Sequence, residues 1–172
     1  MVFYFGKCRV IIEFSFVLMV SFSMLTGTQT VLRILLFASL HECGHIVLLL
    51  LFGCTPDRLT LAFYGIGMAH SGTLNRCQEC LFLLGGIAVN GLMALLGIDT
   101  EINLSLLLIN ALPLYPLDMG RVLALVLPYR VCRVITVCFL ILLLTGAAVL
   151  KNISLLFIAI YIIVFSLKED LR

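Results

Sequence analysis

The sequence predicts an all-α polytopic membrane protein with about six transmembrane helices and a short β-hairpin or re-entrant loop on the cytosolic side. Three observations predict it. Of 172 residues, 63% are hydrophobic and 12% charged, with a mean hydropathy of +1.23. Soluble domains carry about 45–50% apolar and about 25% charged residues, so this chain lacks the polar surface to coat a globule in water. Apolar runs close to the length of a membrane crossing recur along the chain. The ionisable residues inside those runs are few and cluster at one depth. The same composition excludes disorder, a collagen-like repeat and a secreted disulfide scaffold. A net charge of +2 without a long basic run leaves no electrostatic footprint for nucleic acid, so no nucleic-acid partner is expected. The seven cysteines are odd in number and four lie in or beside apolar runs, which reads as free thiols.

A helix crossing the hydrocarbon needs about 20 apolar residues, or about 17 when flanking side chains snorkel. Six segments come close: Val10 to Leu25, Val31 to Phe52, Leu81 to Gly97, Asn103 to Leu127, Val134 to Leu150 and Ile153 to Leu167. The first follows Lys7 and Arg9 as a signal peptide would, but no small-residue cleavage pattern comes after it and Glu13 interrupts it, so it is expected to be a retained helix. Between the second and third, Gly53 to Cys80 is rich in Gly, Thr, Ser and Asn. Its stretch from Arg58 to Gly67 alternates weakly and is broken by Gly65 and Gly67, suggesting a short hairpin or edge strand. The chain reads as one membrane domain: residues 1–30 an N-terminal helix, 31–127 a central core, and 128–172 two C-terminal helices. Translocated short loops avoid Lys and Arg. With both termini in the cytosol, nine of the eleven basic residues fall on or toward the cytosolic side and only Arg33 and Lys151 fall outside, while the acidic pair Asp99 and Glu101 sits in an outer loop.

The second segment contains His41-Glu42-Cys43-Gly44-His45. Residues four apart on a helix share a face, about 5–6 Å apart between Cβ atoms, so both imidazoles can reach one metal ion. Glu42 projects about 100° round the helix, where it can touch a water on the open coordination position. Such a motif arises by chance in soluble helices. Within a membrane span a charged side chain costs about 2.5–3.5 kcal/mol on insertion scales, and ionisable residues so concentrated call for compensation.

Catalytic zinc takes three protein ligands and leaves one position for water. Asp118 is the carboxylate deep in another segment, within Asn110-Ala-Leu-Pro-Leu-Tyr-Pro-Leu-Asp-Met-Gly-Arg121. Pro113 and Pro116 remove backbone donors and break the helix, and broken helix at membrane depth is tolerated where it is buried in protein or lines a wet cavity. The alternative is that the prolines are simple kinks and Asp118 pairs with Arg121. Asn110 fits a donor to a carbonyl oxygen, or equally a packing amide.

These two motifs in this order resemble the site-2 protease family of intramembrane zinc metalloproteases, and their spacing resembles its short bacterial branch, which processes sporulation pro-sigma factors. Leu84-Gly-Gly-Ile-Ala-Val-Asn-Gly91 is similar to the family's small-residue-plus-Asn helix between the motifs. The resemblance covers about Arg33 to Leu127 and implies a three-helix zinc-protease core. It implies that His41, His45 and Asp118 bind one Zn2+ per chain, that Glu42 is the general base and acid, and that Asn110 helps hold the substrate backbone. Met119 departs from the glycine usual after the aspartate, which could narrow a close helix approach there. The resemblance also implies hydrolysis of a peptide bond in or near a transmembrane segment, with a membrane protein as substrate, a pro-sigma factor by resemblance, and an inhibitory or regulatory membrane partner. The implied location is the bacterial cell membrane, multi-pass. Regulation through a PDZ insertion or a C-terminal nucleotide-sensing domain is not expected.

Two other classes remain open, a catalytically silent homologue that binds membrane proteins and a small metal-ion carrier. A carrier should spread polar residues along a path, whereas here they cluster at one depth. A strand from Leu59 to Tyr64 is a candidate to hold an unwound substrate by strand addition. Weaker signals read blandly: Cys77 and Cys80 as reduced thiols without a second ligand pair, Cys43 as a packing residue, His70 as a solvated loop histidine or a gate, and Glu13 as lying in a cavity or near the interface.

Overall fold

Aromatic and β-branched residues at the start of the chain form strands. In the computed structural model, which describes residues 1–6, 8–27, 29–62, 65–151, 159, 160 and 163, β1 (Val2–Phe5) pairs antiparallel with β2 (Cys8–Ile12). Val10, Ile11 and Ile12 were expected to open a membrane helix; three successive β-branched side chains fit a pleated surface better, and they lie in β2. β2 runs parallel to β3 (Thr55–Ala62), and β3 pairs antiparallel with β4 (Gly65–Ser71). Parallel neighbours need a crossover, supplied here by α1 (Phe14–Leu25) and α2 (Gln29–Leu51). Glu13, interrupting the first apolar run, sits at the strand-to-helix junction, where its amide donates to the Leu61 carbonyl at 2.9 Å.

The expected hairpin is thus β3–β4, but inside a four-stranded sheet of order β1-β2-β3-β4. This corrects the edge-strand expectation for Leu59 to Tyr64. β3 has β2 on one side and β4 on the other, so its backbone groups are already spent on ladders, and residues 63 and 64 lie outside the described residues. The outer strands are β1 and β4.

The chain divides into two compact units, Met1–Leu107 and Leu108–Arg172. In the first, α3 (Arg76–Leu95) opens with a capping box: Asn75 Oδ1 accepts from the Gln78 amide at 2.8 Å and Gln78 Oε1 accepts from the Asn75 amide at 3.0 Å. α3 packs on α2 in the opposite direction, and α4 (Thr100–Asn110) follows. Arg33, near the start of α2, forms an ion pair with Asp99, beyond the end of α3, with Nε donating to Oδ2 at 3.0 Å.

In the second unit the expected proline break is present: α4 ends at Asn110 and α5 (Asp118–Val126) starts eight residues later, followed by α6 (Tyr129–Leu150). Leu114, between the prolines, is fully buried. Gly120 lies against this break so tightly that an added Cβ would sit 2.3 Å from the Leu114 carbonyl carbon and oxygen. The close approach expected beside Asp118 therefore falls at Gly120, and half-buried Met119 does not occupy it.

Among the described residues, α2, α3 and α6 are long and apolar enough to cross a membrane. α1 is apolar but has 12 residues, and most of the expected sixth segment, Ile153 to Leu167, lies outside the described residues. Exposed Leu36, Val47 and Leu50 on α2, Leu92 and Leu95 on α3 and Val134, Ile141 and Leu142 on α6 suit contact with lipid tails rather than water. All seven cysteines are free.

Candidate metal centre

One stripe of α2 turns inward. Phe37, His41, Gly44, His45 and Leu49 recur at helical spacing and are buried, with His41 and His45 only 5% and 3% exposed. The facing stripe of α3 is Phe82, Gly86 and Asn90, at intervals of four, with Gly85 beside it. The two backbones meet where both lack side chains: a Cβ on Gly44 would lie 2.5 Å from the Gly85 carbonyl oxygen, and one on Gly85 2.8 Å from that of Gly44. Small residues bring apolar helices this close. The glycine inside the His-Glu-Cys-Gly-His run is there for packing, while the histidines flanking it meet α3.

Each imidazole is held from behind. His45 Nδ1 lies 2.7 Å from the Phe82 carbonyl oxygen. A carbonyl only accepts, so this nitrogen carries a proton, and in the neutral ring His45 Nε2 then keeps its lone pair. His41 Nδ1 lies 3.0 Å from Nδ2 of Asn90, which is wholly buried. The two Nε2 atoms face each other 3.2 Å apart. Two nitrogens bound at about 2.0–2.1 Å to one tetrahedral ion would be about 3.3–3.4 Å apart, so the pair is spaced to share an ion. A carboxylate oxygen of Glu42 joins them, with the ligand atoms of all three residues within 4.8 Å of one another. The nitrogen-rich donor set, its burial and its second partners fit zinc.

The structure brings His41, Glu42 and His45 together. Asp118 and Asn110 belong to the second unit. Asp118 is buried at the first position of α5, where the helix N-terminus favours a carboxylate, and Asn110 is half-buried at the end of α4. Cys43 is exposed on the outer side of α2 rather than packed. His70 lies on β4 with its ring 5.3 Å from that of Phe82, so it is part of the sheet and not a loop histidine. Cys77 and Cys80 join no metal-binding group among the described residues. Sequence reasoning missed the Phe82 carbonyl and the contact of Asn90 with His41. The available signal was the i, i+4, i+8 spacing that aligns an amide with a glycine in an otherwise apolar helix.

The structure of the site-2 protease from Methanocaldococcus jannaschii is similar to this chain with a TM-score of 0.70, over 93% of this chain and 89% of that one, at 16% sequence identity. The chain has a site-2 protease fold. No model of a known protein family matches the sequence, and no curated protein does. In this fold the two-histidine helix and its glycine-and-asparagine neighbour are the closely packed helix pair of the first unit.

Proposed function

We propose that this protein is an intramembrane zinc metalloprotease that hydrolyses a peptide bond in or near a transmembrane segment of a membrane-associated substrate, with a pro-sigma factor the substrate suggested by resemblance. The observation that carries the reading is the pair of buried Nε2 atoms 3.2 Å apart, each ring backed by a second partner, on a helix of a site-2 protease fold. His41, His45 and Asp118 hold the ion in this reading. A bound zinc supplies Lewis acidity to a water and to the scissile carbonyl. Glu42 takes the proton from the attacking water and returns it to the leaving amine. Asn110 donates to the substrate backbone. A helical substrate shields its carbonyls and has to unwind, and the outer edge of β4, unpaired among the described residues, offers a ladder to the extended segment.

The test is Glu42→Gln in the full-length protein, co-expressed with candidate single-span proteins and also purified for metal analysis. Zinc content is expected to stay at wild type while cleavage falls by at least about 10²–10⁴, the usual contribution of a general base. Undiminished cleavage overturns the assignment. Unchanged transport or binding activity in the variant would favour a carrier or a silent binding protein.

A further inference from the structure

Asn90 is 0% exposed and donates through Nδ2 to His41 Nδ1 at 3.0 Å, while its Oδ1 is buried with no hydrogen-bond partner. In that orientation His41 Nδ1 is the acceptor, so in the neutral ring the proton sits on Nε2, the nitrogen that faces His45. A nitrogen that carries a proton cannot bind a metal. Half a turn of the amide exchanges its two atoms: Oδ1 then accepts from Nδ1–H, and the lone pair moves to Nε2. Each orientation leaves one amide atom unmatched, so pairing within the amide does not choose between them. An ion on Nε2 does. Gly86 gives the Nε2 edge of the imidazole its place against α3, since a Cβ at that position would come within 2.4 Å of Nε2.

We infer that Asn90 is a positioning residue for the metal centre, which sets the tautomer of His41 by presenting Oδ1 to Nδ1–H and so frees Nε2 as a ligand. This rests on the metal reading given above. Phe82 does the same for His45 through a backbone carbonyl, which no substitution can remove. The His41 side is therefore where the second partner is a replaceable side chain.

The experiment measures zinc affinity of the purified full chain in detergent, by competition with a chromophoric chelator, for wild type, Asn90→Asp and Asn90→Leu. Aspartate offers acceptors and no donor, and leucine fills the space with neither. Asp is expected to bind zinc within about threefold of wild type and Leu about 10–100-fold more weakly, the usual cost of removing a ligand's outer partner. Equal loss in both means that the amide nitrogen matters, and wild-type affinity in Leu means that Asn90 only packs; either overturns the inference. Should the Leu variant not remain monodisperse, the Asp variant decides together with the ¹⁵N spectrum of zinc-bound wild type. There His41 Nδ1 is expected in the protonated, pyrrole-type range, and a pyridine-type signal overturns the inference. A wild-type chain that takes up no zinc, or a His45→Ala chain that binds it as well as wild type does, would overturn the metal reading itself and this inference with it.

Discussion

Gly86 and His41 compete for the same space. Because a Cβ on Gly86 would meet Nε2, Cδ2 and Cε1 of the ring at 2.4–2.6 Å, Gly86→Ala has to displace the imidazole. Overpacking of this kind costs about 1–3 kcal/mol. Where that cost falls on the ligand geometry, zinc affinity in chelator competition is expected to fall about 5–150-fold, since about 1.4 kcal/mol is a factor of ten. Gly91→Ala is the control, its Cβ meeting only the flexible end of Leu107 at 3.2 Å, and it should bind zinc as wild type does. At this scale the sequence revealed what a single helix guarantees: His41 and His45 share a face whatever surrounds them. It did not reveal that Asn90 backs His41 or that Phe82 backs His45, because those contacts depend on how α3 slides along α2, and the Gly44–Gly85 contact sets that register only once both helices are packed.

Helix ends and breaks carry the next predictions. Removing the Asn75 side chain from its capping box by Asn75→Ala is expected to destabilise the protein by about 0.5–2 kcal/mol, with faster amide exchange in the first turn of α3 as the readout. Gly120→Ala places a Cβ against backbone rather than a movable side chain, so it should lower the thermal midpoint in detergent more than the cap variant does. Pro113 and Pro116 announced the gap between α4 and α5 because a missing amide donor is a local fact. β1 and β2 stayed hidden: in so apolar a chain, Val10 to Ile12 serve a membrane helix or a strand equally well by composition, and only pairing with β3, which lies beyond two helices, decides between them.

For the molecule as a whole, a metal ion that binds the folded chain alone raises its stability by about 2.7 kcal/mol at one hundred times the dissociation constant. Zinc should therefore raise the unfolding midpoint of wild type and leave that of His45→Ala unmoved. Orientation is open to thiol labelling, because a chain without disulfides can lose its cysteines. In a cysteine-free background, Cys77 restored alone and Asp99→Cys alone are expected to label from opposite sides of the membrane, and labelling from one side contradicts the proposed topology. The sheet adds a constraint on depth. Ile12 lies beside Leu61, so the excursion through α1 and α2 ends on the side where it began. α1 climbs about 18 Å and α2, with 23 residues, descends about 34 Å. Thr55 to Leu61, at about 3.3 Å per residue, climbs back the missing distance of about 16 Å and a little more. With α2 taken as a membrane span, the strands would accordingly stand beside its lower half, level with His45. On that placement, peptide groups on their outer rim would find no partner in hydrocarbon and would keep their hydration, giving water a route toward the proposed hydrolytic site.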